Sequence, residues 1–358
     1  MNFRTIWKKC RDILPVFSLF TQTISMIRSN LHMTPGLGYL LTMVPAMICG
    51  CSGEKLHKAP GSQNNVILSS SSIHKTAEGS SLDIFAFDND RLKRLDSYQR
   101  IEDFTGNNAV ISSTGGEKLL FLCADGQRNR YEWSDISSFH SLKDIDCDLE
   151  YETHDRRVMT GESAAVAGDG TVVVELEPLS CEIVLKAVRC DFSGTPYAES
   201  VLRNVKAYIT NVNASCPLLY TKGSRATRII NMGMLNPSDL SQFKSKEIVM
   251  QDISPVVGRT TIYPDASFLC YPNTPEEDSP GSPFTRLVIE GKIGSHTCYW
   301  PITVNAPEGV IRGSRYVYDI FIRRKGVTDP DSPIEPTSME IKMNIRKWND
   351  IDEYSVGF

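Results

Sequence analysis

Short apolar runs broken by Gly, Pro, Asn and Asp fill the chain from residue 82 onward, and the last of them alternates strictly between apolar and polar residues. The clearest run spans residues 339–345, and its apolar positions are Met339, Ile341, Met343 and Ile345. A period of two places one side of a strand in a core and the other side in water. Comparable runs, rich in branched and aromatic residues, occur at 82–87, 118–124, 172–176, 182–188, 205–210, 286–293, 298–304 and 316–322. The pattern therefore predicts a chain of many short β-strands.

Helical patterns are few and short. Residues 133–139 carry apolar side chains three apart, and Pro237 begins another turn. Neither segment is long enough to cross repeatedly between parallel strands, so we expect antiparallel pairing. We predict an all-β chain of two tandem antiparallel β-sandwich domains, the first at residues 82–178 and the second at residues 179–358.

An uncharged apolar run precedes Cys51 near the start of the chain. The run covers residues 36–48, too short for a membrane-spanning helix of about 20 residues, and five bases against one acid lie upstream. Because Gly50 supplies the small residue that a signal peptidase needs, residues 1–50 resemble a bacterial lipoprotein signal with fatty acylation, such as palmitate, at Cys51. The alternative is a buried core segment with an incidental cysteine. The candidate start residues are Met1, Met26 and Met33.

Residues 51–81 are polar and rich in serine, with one brief apolar patch at 66–68. Such a composition buries too little apolar surface to order a segment by itself. We therefore predict a flexible tether between the lipid and the sandwiches. Since two or three acyl chains hold a protein firmly on a membrane, the expected location is the outer membrane.

Charge and cysteine content exclude several classes of partner and site. Removing residues 1–50 lowers the net charge from −5 to −9, whereas phosphate binding needs concentrated Lys and Arg. We therefore expect no nucleic acid as a partner. The seven cysteines after Cys51 contain no CxxC pair, which indicates neither a zinc knuckle nor a complete disulfide framework. We expect small core residues, with one or two disulfides left open.

Catalytic motifs are absent from the sequence. The six histidines are scattered and lack the spacing of zinc proteases, serine hydrolases or phosphate-binding loops. The acidic clusters fall in proline-rich loops, where carboxylates usually face water. We therefore predict a protein that is not an enzyme and that has no catalytic residue, no metal and no cofactor.

Six sequence strings stand in order between residue 80 and the C-terminus. They are DIFAFD at 83–88, LDSYQR at 95–100, NVKAYITN at 204–211, TRLVIEG at 285–291, YWPI at 299–302 and GVTDP at 326–330. Together they resemble the fimbrillin family of Bacteroidales pilus subunits. The resemblance implies transthyretin-like, Greek-key sandwiches, export as a lipoprotein precursor, and polymerisation into a fimbria on the cell surface.

The resemblance also implies a mode of assembly. In that family an arginine-specific protease removes the N-terminal segment with the first strand, and a neighbouring subunit donates a strand to the groove left behind. Residues 82–87 are the predicted removable strand. Arg94 and Arg100 are the predicted cleavage positions, and the alternative is that they are ordinary surface arginines.

The predicted donor strand lies in the tail, near residues 339–358. Its apolar residues are Met339, Ile341, Met343, Ile345, Trp348, Val356 and Phe358. The alternative is that 339–345 is the last strand of its own domain, which would leave only 348–358 free.

The expected partners are other fimbrial subunits in a homo- or hetero-polymer, the outer membrane through the lipid, and an arginine-specific protease. The fimbria is expected to support adhesion, and the position of this subunit as stalk, tip or anchor stays open. The rival hypothesis is a monomeric surface lipoprotein that binds glycans for nutrient uptake. It would gather exposed aromatic residues, for which the candidates are Tyr131, Trp133, Tyr271, Tyr299 and Trp300.

Overall fold

β-Strands make up most of the structure. The computed structural model describes residues 62–68, 79–104, 108–127, 130, 133–168, 170–224, 226–275, 283–334 and 338–347. The first strands are β1 (Ser62–Leu68), β2 (Leu82–Asp88), β3 (Leu95–Ile101), β4 (Asn108–Ser113), β5 (Glu117–Ala124), β6 (Asp146–Asp148), β7 (Met159–Val166), β8 (Thr171–Val174) and β9 (Glu177–Pro178). They are followed by β10 (Cys181–Cys190), β11 (Leu202–Thr210), β12 (Val212–Asn213), β13 (Ser215–Pro217), β14 (Ile229–Ile230), β15 (Met250–Val257), β16 (Ala266–Cys270), β17 (Arg286–Ile293), β18 (His296–Thr303), β19 (Ser314–Ile322) and β20 (Met339–Lys347). The predicted all-β fold is confirmed.

The helices are single turns. One α-helix, α1 (Pro237–Leu240), begins where the Asn236 side chain accepts a hydrogen bond from the backbone N–H of Ser238. The 3₁₀ helices are Trp133–Asp135, Phe139–Asp144, Leu149–Tyr151 and Lys246–Ile248. In the described part of the chain, no helix has the length and apolar character needed to cross a membrane.

The first sandwich packs a five-stranded sheet against a three-stranded sheet. Their strand orders are β3-β2-β5-β7-β9 and β4-β1-β8. Every second residue of β4 is buried, and Ile111 at its centre joins one apolar cluster with Leu82 and Ile84 of β2. Leu120 and Leu122 of β5 complete the floor of this cluster. The alternation along β4, a strand outside the runs predicted from the sequence, thus places Ala109 and Ile111 in the core of the first sandwich.

Aromatic residues cover the other face of the five-stranded sheet. Phe85 stacks on Trp133 with ring centroids 5.4 Å apart. Phe87 and Phe121 meet the edge of Phe139 at 5.6 and 6.2 Å. Because this face is covered by the 3₁₀ helices of residues 133–144, β2 and β5 are buried on both sides.

The second sandwich consists of two four-stranded sheets. Their orders are β16-β10-β19-β20 and β15-β11-β17-β18. Ile183 and Leu185 of β10, Ile209 of β11, and Tyr316 and Tyr318 of β19 belong to one buried cluster. The predicted antiparallel pairing is confirmed for most pairs, but β10 and β19 run parallel, as do β1 and β8. More than 100 residues separate the two strands of each pair, and such a long connection allows parallel pairing where a hairpin does not.

One apolar cluster extends from the first sandwich into the second. It includes Phe85 and Phe121 of the five-stranded sheet, Leu179 at the junction, and Ile183 of β10. All described residues fall in one unit by their contacts, and that unit begins at Ala59. The division into domains at 178/179 therefore stays a prediction.

The segment 51–81, predicted as a flexible tether, contains strand β1. This part of the tether prediction is corrected. The sequence SQNNVIL is mostly polar and has little tendency to order alone. It is a strand because two neighbouring strands, β4 and β8, pair with its backbone on both sides.

Arg312, just before β19, connects the two sandwiches. Its Nη2 donates to the carbonyl of Thr160 (2.9 Å), the Thr160 hydroxyl (2.8 Å) and the carbonyl of Glu177 (3.0 Å), and its Nε donates to the carbonyl of Pro178 (3.3 Å). Burial lowers the pKa of this guanidinium, although the charge of Glu177 opposes the change. The side chain thus bonds to β7 and β9 of the first sandwich from a loop of the second.

Replacing Arg312 with alanine is expected to lower the free energy of unfolding by about 2–3 kcal/mol, because hydrogen bonds from a charged donor are lost and buried carbonyls lose their partner. Urea denaturation measures the change. Arg324→Ala, at an exposed position, is the matched control and should change stability by less than about 0.5 kcal/mol. Equal effects of the two substitutions would contradict a connecting role for Arg312.

Candidate strand-exchange site

β1 lies in the middle of the three-stranded sheet, between β4 and β8. It runs antiparallel to β4, with Val66 opposite Ala109, and parallel to β8, with Leu68 opposite Val174. In the described sheet β4 and β8 pair with β1 and not with each other. Without β1, this layer of the sandwich would therefore become two separate strands around a gap one strand wide.

Apolar residues lie in the two strands that flank this position and in the facing sheet. Ile111 of β4 and Val174 of β8 are each 1% exposed, and Ile84 and Leu122 of the facing sheet are fully buried. All four belong to the core of the first sandwich. A gap at β1 would expose this apolar floor together with unpaired backbone groups of both flanking strands, which is the combination that binds an added strand.

β2, which begins with the predicted removable segment 82–87, occupies a different position. It lies between β3 and β5 in the five-stranded sheet. Leu82 and Ile84 enter one core cluster, whereas Phe85 and Phe87 enter the other. Removing β2 would open both cores at once. β2 thus belongs to both cores, whereas β1 belongs to the three-stranded sheet alone, and the choice of 82–87 as the removable strand stays a prediction.

The two predicted cleavage positions follow β2. Arg94 is exposed in the turn between β2 and β3, where its backbone carbonyl accepts from Asp88 N–H. Arg100 lies within β3, and its Nη1 is 2.7 Å from the carboxylate of the fully buried Asp83. Burial lowers the pKa of Arg100, but hydrogen bonds to Glu102 and Asp83 outweigh it and raise the pKa. Of the two, Arg94 is the more accessible to a protease.

The linker between β1 and β2 contains no arginine. Its sequence from residue 69 to residue 81 is SSSSIHKTAEGSS, in which Lys75 is the one basic side chain apart from His74. A cut after Arg94 or Arg100 would therefore leave β1 and β2 together on the N-terminal fragment. A cut in the linker would separate β1 alone.

The predicted donor residues Met339, Ile341, Met343 and Ile345 all lie in β20. β20 pairs with β19 along its whole length and forms one edge of its sheet. Met339 and Met343 are buried in the core of the second sandwich, and Ile341 and Ile345 pack against it. In the structure this segment is the last strand of its own sheet, which is the alternative stated for it.

Other predicted positions lie outside the described residues. They are Cys51, Trp348, Val356 and Phe358. The described positions do not form one site, because Arg94 and Arg100 border the five-stranded sheet and β20 belongs to the second sandwich. The sequence analysis missed β1, for which the apolar patch at 66–68 was the available indication.

The candidate glycan-stacking aromatics are mostly interior. Tyr271 and Trp300 are fully buried, Trp133 stacks on Phe85, and the Trp300 indole donates to the carbonyl of Arg324 at 3.1 Å. Tyr299 is half-buried, and Tyr131 lies outside the described residues. Tyr271, Trp300 and Trp133 thus serve packing, as buried aromatic residues commonly do.

No protein-family model matches the chain, and no curated protein matches it. Several solved structures, in contrast, match the fold of the chain. A candidate cell adhesion protein from Parabacteroides distasonis superposes with a TM-score of 0.59 at 14% identity, covering 82% of this chain and 98% of that one. A fimbrilin, FimA, from Porphyromonas gingivalis gives 0.57 at 13% identity, covering 80% and 97%.

A third match is the tip fimbrial protein Mfa3 from Porphyromonas gingivalis. Its TM-score is 0.51 at 12% identity, covering 81% of this chain and all of that one. At 12–14% sequence identity the similarity is one of fold. It extends over nearly the full length of each matched structure. The chain therefore has the all-β sandwich fold of the Bacteroidales fimbrilins.

Proposed function

We propose that this chain is a structural subunit of a cell-surface fimbria that assembles by strand exchange, and that the β1 position accepts a neighbour's strand when β1 is removed. The observation that carries the proposal is the placement of β1 between β4 and β8, over the buried core of the first sandwich. The matched structures are fimbrial and adhesion proteins, which fits a structural role at the cell surface.

Lipid anchoring is the second part of the proposal. The signal-like segment and Cys51 place acylation just before β1, so the lipid and β1 remain on the same side of any cut in the 69–81 linker. Such a cut would release the subunit from the outer membrane and open the β1 position in one step. A chain that keeps β1 also keeps its lipid.

Proteolysis is the proposed trigger, and its position decides where the subunit stands in the fibre. Because the linker lacks arginine, an arginine-specific protease acting on Arg94 leaves β1 and β2 paired in their sheets. This arrangement favours an anchoring subunit, which retains its lipid and offers its own tail to the next subunit. The proposed donor is then the tail, residues 348–358, which follows β20.

This proposal predicts the effect of one substitution. Arginine-specific proteolysis of the natural chain is expected to nick the turn at Arg91 or Arg94 while the N-terminal fragment stays bound. Lys75→Arg places a cleavable residue between β1 and β2, so the same protease should release a fragment that carries β1. Mass spectrometry of the fractions from gel filtration after digestion distinguishes the two results.

The control variant is Arg91→Gln with Arg94→Gln, which should prevent the nick and leave the linker as it is. Release of β1 from the natural chain without a cut in 69–81 would contradict the proposed retention. If Lys75→Arg is cut in the linker but β1 never leaves, even with donor tail supplied, the β1 position is not an exchange site.

A glycan-binding monomer has less support. Of its candidate aromatics, Tyr271 and Trp300 are buried and Trp133 is covered by Phe85. An exposed row of these rings, which the rival hypothesis requires, is therefore not found among the described residues.

A further inference from the structure

A cleft with an excess of basic side chains lies where the two sandwiches meet. Its volume is about 460 Å³, large enough for one or two sugar residues. The basic side chains that line it are Arg100, Arg130, Arg156 and Lys244, and the acidic ones are Asp125 and Glu152. The rest of the lining includes Ser81, Gln127 and Tyr151. This positive cleft stands out on a chain of net charge −5.

Two of the four cations are already paired. Arg100 contacts Asp83 at 2.7 Å and Glu102 at 2.5 Å. Arg130 contacts Asp148 at 3.3 Å. Arg156 and Lys244 are exposed, and neither has a carboxylate within salt-bridge distance among the described residues. An anion entering the cleft would therefore meet two available cations.

The two carboxyl groups of the cleft offset its positive charge only in part, since four basic side chains line it. Asp125 accepts hydrogen bonds from the Ser80 hydroxyl (2.7 Å) and the Ser81 N–H, and Glu152 accepts one from the Tyr271 hydroxyl (2.7 Å). Burial raises the pKa of both carboxyls, although the charge of Arg156 opposes the change at Asp125. Arg156 and Lys244 are both exposed and line the cleft, so they remain accessible to an entering anion.

Tyr151 adds an aromatic surface. Its side chain is 50% exposed, and the guanidinium of Arg130 lies 4.7 Å from its ring centroid. Arg130 covers one part of the ring and leaves the exposed part toward solvent. Such a ring accepts the apolar face of a pyranose, whereas a simple inorganic anion gains nothing from it.

We infer that this cleft binds an acidic sugar residue, with the sugar carboxylate held by Arg156 and Lys244 and the pyranose ring stacked on Tyr151. The inference deepens the adhesive part of the proposed function, on which its biological use rests. The binding itself does not require assembly, since the lining residues belong to one chain.

The test uses methyl β-D-glucuronide as the probe and titrates it into the purified full chain, with ligand-observed NMR as the readout. The matched probe is methyl β-D-glucoside, which has the same ring without the carboxylate. At low salt the glucuronide is expected to bind at least tenfold more tightly than the glucoside, and added salt should weaken its binding. Equal binding of the two glycosides would overturn the inference.

The test variant is Arg156→Gln with Lys244→Gln, which should weaken glucuronide binding at least tenfold. Lys222→Gln, an exposed lysine outside the cleft, is the control and should leave binding unchanged. Both altered residues of the test variant are exposed, so its urea midpoint should match that of the natural chain. Unchanged binding in the double variant would place the site elsewhere and overturn the inference.

Inorganic sulfate provides a further comparison. It should compete at least tenfold less well than the glucuronide, because it cannot stack on Tyr151. If sulfate displaces the glucuronide at equal concentration, the cleft binds anions without selecting a sugar, which would overturn the sugar assignment. Filament formation by the double variant, viewed by electron microscopy, is scored separately, so that a failure to bind and a failure to assemble are distinguishable.

Discussion

A chain that starts at residue 69, and therefore lacks β1, is expected to lose on the order of 5 kcal/mol of stability. β1 pairs with β4 over residues 62–67 and with β8 over residues 65–68. Each lost ladder hydrogen bond removes about 0.5–1.5 kcal/mol, and each large apolar side chain that becomes exposed removes about 1.5–3 kcal/mol. A loss of this size approaches the whole stability of an ordinary domain.

Urea denaturation followed by tryptophan fluorescence measures this loss, since Trp133 packs on the first sandwich. A synthetic peptide of residues 62–68 should restore much of the stability when added in excess. The matched control is the same peptide with Val66→Asp and Leu68→Asp, which should fail. A truncated chain within about 1 kcal/mol of the natural one would show that β4 and β8 do not depend on β1.

The second large effect concerns Lys118 of β5, which is 1% exposed. Its ammonium lies 2.5 Å from Asp88, 3.2 Å from Asp96 and 2.9 Å from the Thr114 hydroxyl. Burial lowers the pKa of Lys118, but hydrogen bonds to Asp88 and Asp96 outweigh it and raise the pKa. Burial likewise opposes the charge on Asp96, but hydrogen bonds from Thr114 and Lys118 outweigh it and hold the pKa of Asp96 below its usual value.

Lys118→Met is expected to cost about 3–5 kcal/mol, because it leaves a buried carboxylate without its cation. Arg323→Met breaks an exposed pair with Glu340 and is the matched control, with an expected cost below about 1 kcal/mol. Urea denaturation at neutral pH compares the two. A similar small cost for both would show that the Lys118 cluster contributes no more than a surface pair.

The pKa shifts of Asp96 and Lys118 set the pH range over which this cluster stabilises the fold. A lowered folded pKa of Asp96 means that its stabilising effect is present above the unfolded value and is lost as the pH falls through the folded one. A raised folded pKa of Lys118 means that its effect is present below the unfolded value and is lost as the pH rises through the folded one. The full effect of Lys118→Met is therefore expected near neutral pH.

The strands with strict alternation were predictable from the sequence. β20 is the clearest example, since Met339 and Met343 are buried where the period of two places them. Local pattern is sufficient in such cases because one face of the strand is apolar and the other polar.

β1 was not predictable in the same way. Its first four residues, SQNN, resemble a linker, and the strand depends on hydrogen bonds from β4 and β8, which come later in the chain. The same reason explains why the cleft was not foreseen. Ser81, Asp125, Tyr151 and Lys244 belong to separate segments that only the tertiary fold brings together.

The burial of Lys118 is another property set by distant residues. In the sequence it is the polar first residue of the otherwise apolar run 118–124. Its partners Asp88, Asp96 and Thr114 come from β2, from β3 and from the turn after β4. The carboxylates of Asp88 and Asp96 offset the cost of burying the lysine charge. The sequence around Lys118 alone does not indicate these partners.

The most direct test of strand exchange is electron microscopy of the Lys75→Arg chain, carrying Arg91→Gln and Arg94→Gln, before and after arginine-specific proteolysis. The account predicts monomers before the cut, and filaments with detergent-resistant ladders on gels after β1 is released. The matched control ends at Lys347 and should stay monomeric after the same cut. A cut chain that has lost β1, keeps its fold and its tail, and remains monomeric would contradict the account.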